Sequence, residues 1–169
     1  MQTCYNTYSA LFEDTPETFA LMEKAAALFF VDLNNIYIDY VILQICRIAD
    51  NDIRSLTVHG MNTLLHKSNL YSQDIDDLSN ELTKHKDRLN IARNKVIGHS
   101  DTKTILSKMT LGQHTHAESV EFFANLQKYM DLVGIAIGIG PADYQMTGGP
   151  GDVYDLLKLL RLGLKHEEI

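Results

Sequence analysis

A chain of 169 residues with 45% apolar side chains has the length and make-up of a globular domain and lies far from the weakly hydrophobic, highly charged class that stays disordered. Its formal charge of −7 argues against loose, sequence-independent binding to nucleic acid. Two cysteines, Cys4 and Cys46, are too few for a disulfide framework, and both are expected as reduced thiols of a cytoplasmic protein.

Residues 1–14, rich in Tyr, Thr and Asn, are expected as a loosely packed tail. They hold no Lys, Arg or long apolar stretch, so no secretory signal is expected. One helical domain is expected to fill residues 15–169, with its core at about 16–140. Thr15-Pro16 suits a helix start, because Thr caps free amides and Pro fits the first turn. From there Phe19, Met22, Ala26, Phe29, Leu33, Ile36, Tyr40 and Leu43 recur at threes and fours and predict one inward stripe, on either a single long bundle helix or two helices with a bend near Asn34-Asn35. Asp32, Asn34, Asn35, Asp39, Gln44 and Arg47 interrupt Ala25–Ala49 too often for a membrane span, so this stretch reads as a buried bundle helix.

Asp50-Asn51-Asp52 ends that helix, and a shorter one is predicted over roughly Ile53–Leu65 with Leu56, Gly60 and Leu64 inward, closing at Lys67-Ser68-Asn69. After the capping candidate Ser72, the residues Ile75, Leu78, Leu82, His85, Leu89, Ala92 and Val96 mark the seam of a helix of about six turns. Gly98 is a stop signal. A polar connection follows, and Thr115 to Glu118 resembles a capping box opening a helix through Val120, Phe123, Leu126, Met130, Val133 and Ile137. A glycine- and proline-rich loop over Gly138–Gly151 leads to a last amphipathic helix at about 152–165. With no strand pattern and no repeat, the expected fold is all-α, an antiparallel bundle of four to six helices.

Charge is uneven along the chain. Met1–Asp52 carries eight acids against Lys24 and Arg47, a balance of −6, whereas Glu81–Thr110 carries seven bases against Glu81, Asp87 and Asp101, a balance of +4. An anionic partner is therefore expected at the middle of the chain, unless these charges are only solvated helix faces.

That basic stretch contains Ile91-Ala92-Arg93-Asn94-Lys95-Val96-Ile97-Gly98-His99-Ser100-Asp101. It resembles the signature of HEPN domains: an Arg, a polar residue, a short spacer and a His at the end of a core helix. Tyr40–Asp52 also resembles the end of the preceding helix in HEPN families of abortive phage infection. The resemblance covers most of residues 16–140, and its specific part is the span from Arg93 to His99. It implies an all-helical bundle and a metal-independent endoribonuclease, acting in phage defence or as a toxin, that uses the RNA 2′-hydroxyl as nucleophile and needs no cofactor. Arg93 and His99 would be catalytic with Asn94 assisting, and Lys95 and Lys103 would bind the RNA substrate.

On a straight helix, residues six apart point about 120° away from each other and sit about 9 Å apart along the axis. Arg93 and His99 therefore meet only if Gly98 breaks the helix or if two protomers share a site. The resemblance implies the second, a homodimer with a composite site. Some HEPN toxins carry, two places after the His, a Tyr that an antitoxin modifies. Asp101 stands there in this chain, so that mode of control is not expected, although an antitoxin or other partner protein would suit so acidic a chain. The alternative is a non-catalytic HEPN-like module that binds nucleotide or RNA, or serves as a scaffold. In purely structural terms, Arg93 would pair with Asp87 or Asp101, Asn94 would cap the helix, and His99 would complement its dipole.

Other constellations carry less. Asp32, Asn35 and Asp39 share a helix face but lack the Glu-x-x-His motif of bundle metal sites, so they are expected as a polar stripe. His114, His116 and Glu118 do not make a tetrahedral zinc set. His85 lies in the apolar seam and is expected as a hydrogen-bonded core histidine, with a place in the cleft as an outside candidate. The glycines at 134, 138 and 140 end a helix instead of joining a strand to one, which excludes a phosphate loop, and Gly134 and Gly138 are candidates for close helix packing.

Overall fold

The computed structural model describes residues 2–13, 15–92, 116–141 and 149–167. These hold six helices and no strand, so the fold class is all-α as expected: α1 Gln2–Phe12, α2 Pro16–Ile48, α3 Val58–Lys67, α4 Gln73–Ala92, α5 His116–Ala136 and α6 Val153–Glu167. The chain groups into two compact units, one of residues 1–41 with 145–169 and one of residues 42–144.

In the first unit the expected tail is an eleven-residue helix, with Tyr5, Ala10 and Leu11 buried. Ala10 and Leu11 join Met22 and Phe30 of α2 and Val153 and Leu157 of α6 in one apolar cluster. Its apolar residues are spread thinly among Thr, Asn and Tyr, which hid the helix from a periodicity argument. Aromatic contacts extend the packing, with Tyr8 5.5 Å from Phe12 and 6.5 Å from Tyr37 between ring centroids.

α2 starts as the sequence suggests. Thr15 Oγ1 accepts from the Thr18 amide at 3.2 Å, and Pro16 is the first helical residue. Its interior departs from expectation in two ways. The break falls at Ala26 (φ −167°, ψ 70°), not at Asn34-Asn35. The face turned inward carries Met22, Phe30, Val41 and Ile45, whereas Phe19, Phe29 and Ile36 are 50%, 60% and 63% exposed, and Tyr40 and Leu43 are exposed as well. A helix apolar on nearly every side offers several possible stripes, and a break shifts the phase between its halves. Of the predicted stripe Met22 is buried and Leu33 packs against the core, whereas Phe19, Phe29, Ile36, Tyr40 and Leu43 are exposed, and the segment expected as a buried helix is largely open.

In the second unit α4 packs on α5, and α3 packs on α4. Ile75, Leu82, His85 and Leu89 of α4 are buried, as the seam predicts. α3 begins five residues later than expected. The Asp52 carboxylate accepts from the amide and Nε of Arg54 and from the Ser55 hydroxyl, and the Asp52 carbonyl accepts from Thr57 Oγ1. These bonds make residues 52–57 a turn, and Thr57 caps α3 by accepting from the Gly60 amide at 3.0 Å. The Arg54 amide, with its guanidinium second, holds the Asp52 carboxyl below its ordinary range. Gly60 faces inward as expected, now with Val58, Asn62 and Leu65, whereas Leu56 and Leu64 are exposed.

α5 also differs from its apolar pattern. Val120 and Ile137 are exposed, while Ser119, Phe122, Phe123, Tyr129 and Val133 face in. The Tyr129 hydroxyl reaches the Val58 carbonyl at 3.2 Å and Asn62 Oδ1 at 2.7 Å, and Asn62 Nδ2 donates to Ser79 Oγ at 2.7 Å. This buried polar chain links all three helices. At the end of α5, Gly134 serves a tight turn. Its carbonyl accepts from the Ile139 and Gly140 amides, and a Cβ there would lie 2.2 Å from the Gly140 carbonyl oxygen. Gly138 supplies the left-handed residue of that turn (φ +79°), and among the described residues nothing lies within 4 Å of its Cβ position.

Candidate functional site

Arg93, Asn94, Lys95, His99 and Lys103 lie outside the described residues, as do the capping candidate Thr115 and His114. Of the neighbouring elements the structure describes α4 over Gln73–Ala92 and α5 over His116–Ala136. α4 runs to Ala92 with its buried residues on one face. It has the acidic first turn, Asp74 and Asp76, that suits the positive end of the helix dipole.

Near the end of α4 a polar group joins it to the start of α5. Arg88 Nη1 donates to Glu118 Oε1 at 2.8 Å, and Arg88 Nη2 lies 3.1 Å from His85 Nδ1. A guanidinium only donates, so Nδ1 is the acceptor in this contact and the ring proton sits on Nε2. The His85 ring, 4% exposed, packs 4.9 Å from the Phe122 ring. Next to it, the largely buried Lys86 pairs with Asp87 at 2.9 Å. His85 is thus a core histidine engaged by Arg88, which agrees with the plainer of its two sequence readings.

Arg88 and Glu118 are thirty positions apart, and no sequence rule pairs residues at that separation. Glu118 stands out in the sequence only as a capping-box residue, and Arg88 only as one of several bases. The ion pair is the feature of this region that sequence reasoning missed.

Asp32, Asn35 and Asp39 are all exposed on α2. Among the described residues no group of three or more His, Cys, Asp or Glu side chains is placed to hold a metal ion. Tyr71 also has a raised ionisation. Burial, together with its 2.7 Å hydrogen bond to Asp76, pushes the phenol up to about 12. It stacks on His66 at 3.7 Å where α3 turns toward α4.

Comparison with protein families gives one match over most of the chain: the HEPN family described as AbiU2 matches residues 1–156. No curated protein and no solved structure matches the chain.

Proposed function

Because the chain belongs to the AbiU2 family of HEPN domains and is a HEPN-like module of the abortive-infection type, we propose that it is a metal-independent endoribonuclease of phage defence. The observation that supports this reading is the run Arg93-Asn94-Lys95-Val96-Ile97-Gly98-His99 in the sequence of a chain of this family. In the proposed reaction the RNA 2′-oxygen bonds to the adjacent phosphorus while the bond to the 5′-oxygen breaks. His99 transfers a proton, since an imidazole both gives and takes one near neutral pH. Arg93 holds the phosphate through paired hydrogen bonds and stabilises the charge that builds on it. Asn94 orients the phosphate or the imidazole, and Lys95 and Lys103 draw RNA to a chain whose overall charge repels it. The reading includes a homodimer in which two copies of the motif share a cleft, masked until infection by a second protein.

The test is cleavage of RNA by the purified protein with a chelator present. Arg93→Ala and His99→Ala should each lower the rate by about a hundredfold or more. Cleavage that both substitutions leave intact would remove the assignment. The net charge of −7 favours a second reading, a non-catalytic module that binds RNA or nucleotide through the same residues. Calorimetric binding of RNA without turnover would select it.

A further inference from the structure

We infer that Arg88 and Glu118 are positioning residues for the proposed ribonuclease, an inference that rests on that reading of function. All five residues assigned to the reaction and its substrate, Arg93, Asn94, Lys95, His99 and Lys103, lie in the chain between Arg88 and Glu118. The ion pair, 2.8 Å from Nη1 to Oε1, thus closes the loop of chain that carries them. α4 and α5, which it joins, are the described helices on either side of that stretch.

Two contacts give the pair direction. Arg88 Nη1 donates to Glu118 and Nη2 to His85 Nδ1 at 3.1 Å, so both arms of one guanidinium are engaged, one on each helix. His85 in turn is 4% exposed and packs 4.9 Å from Phe122 of α5. The apolar packing around this point, with Leu82, Leu89 and Phe122 each 2% exposed or less, holds the helices together but has no preferred direction. A planar fork bonded at two nitrogens does have one, because its hydrogen bonds weaken when the helices slide or turn. Its contribution to stability is small, since the Arg88 side chain is 56% exposed and the Glu118 side chain 25%, and ion pairs so placed add little. Chemistry is far more sensitive, because a shift of about 1 Å in a reacting group costs on the order of a hundredfold in rate. The pair therefore governs rate more than folding.

The test measures kcat and KM for RNA cleavage by the whole protein with a chelator present, and the melting temperature by circular dichroism. Arg88→Gln and Glu118→Gln should each lower kcat about tenfold. KM should stay within about twofold of wild type and the melting temperature within about 5 °C. Arg88→Lys keeps the charge but not the fork, and should lose rate nearly as far. Arg88→Glu combined with Glu118→Arg should recover most of the rate that Arg88→Glu alone loses. Unchanged kcat in the glutamine variants or in Arg88→Lys, or no recovery in the exchanged pair, overturns the inference. A raised KM at unchanged kcat overturns it in favour of Arg88 as a phosphate contact. A melting temperature lowered by more than about 10 °C overturns it in favour of a purely structural tie. If the wild-type chain cleaves no RNA, the ribonuclease reading falls and the inference with it. If wild type cleaves, Arg93→Ala does not and Arg88→Gln keeps its kcat, the inference alone falls.

Discussion

Replacing Tyr129 with Phe should cost about 1–3 kcal/mol of stability, because it removes one oxygen from a buried chain of hydrogen bonds without opening a sizeable cavity. Tyr129 is 1% exposed, and burial raises its ionisation well above the ordinary phenol value, so the hydroxyl is a donor throughout the useful pH range. Its shorter bond, 2.7 Å, goes to Asn62 Oδ1, on a residue only 8% exposed. Phe at this position leaves that carbonyl oxygen dehydrated and without its donor, and this penalty, more than the lost bond itself, sets the magnitude. Asn62→Ala removes both bonds of the amide but leaves the Tyr129 hydroxyl the Val58 carbonyl at 3.2 Å. The two changes should therefore not add, and a double-mutant cycle should return a coupling of about 0.5 kcal/mol or more. Urea unfolding followed by circular dichroism measures all three variants, with an unchanged slope as the check that the unfolded state is the same. A loss below about 0.5 kcal/mol for Tyr129→Phe, or strict additivity with Asn62→Ala, would refute the argument that this chain of bonds anchors α3 and α4 to α5.

Three further outcomes are expected. Leu11→Ala should cost about 2–5 kcal/mol, because Leu11 is 1% exposed, whereas a side chain in a loose tail would cost almost nothing; thermal melting decides between them. Gly60→Ala should destabilise the second unit, since a Cβ there would stand 2.3 Å from the Ser55 carbonyl oxygen and must displace the turn before α3; a melting temperature equal to wild type would contradict this. Tyr71 ionises at about 12 in the folded chain against about 10 unfolded, so the folded state holds its proton where the unfolded state releases it. Its contribution is complete below pH of about 10 and is lost as the pH rises toward 12. Asp76→Asn should move the ultraviolet titration of this phenol downward, and an unmoved titration would contradict the assigned cause.

Local chemistry was legible from residues alone. Thr15-Pro16 opens α2, Lys67-Ser68-Asn69 closes α3, and the seam of α4 faces inward, because each depends on neighbours within a turn or two of chain. The all-α class follows from the same short-range periodicity. The motif after α4 and its family were legible too, since a family signature is a property of residue order.

The facing of helices was decided elsewhere. α2 is apolar on several sides, so its stripe of Phe29, Ile36 and Tyr40 and its buried Phe30 and Val41 look alike in sequence, and packing with α1 and α6 chooses Phe30. In α5 Phe123 and Val133 of the apolar pattern face in together with Tyr129, which bonds to Val58 and Asn62, while Val120 is exposed. The Arg88–Glu118 pair likewise joins residues thirty apart. Residue order by itself determined that this chain is helical, where most helices begin and end, and which family it belongs to, because hydrogen bonds within a helix and a contiguous motif are local. Only the tertiary structure decided which faces are covered and which charges meet, because burial and pairing depend on groups that the chain brings together from far apart.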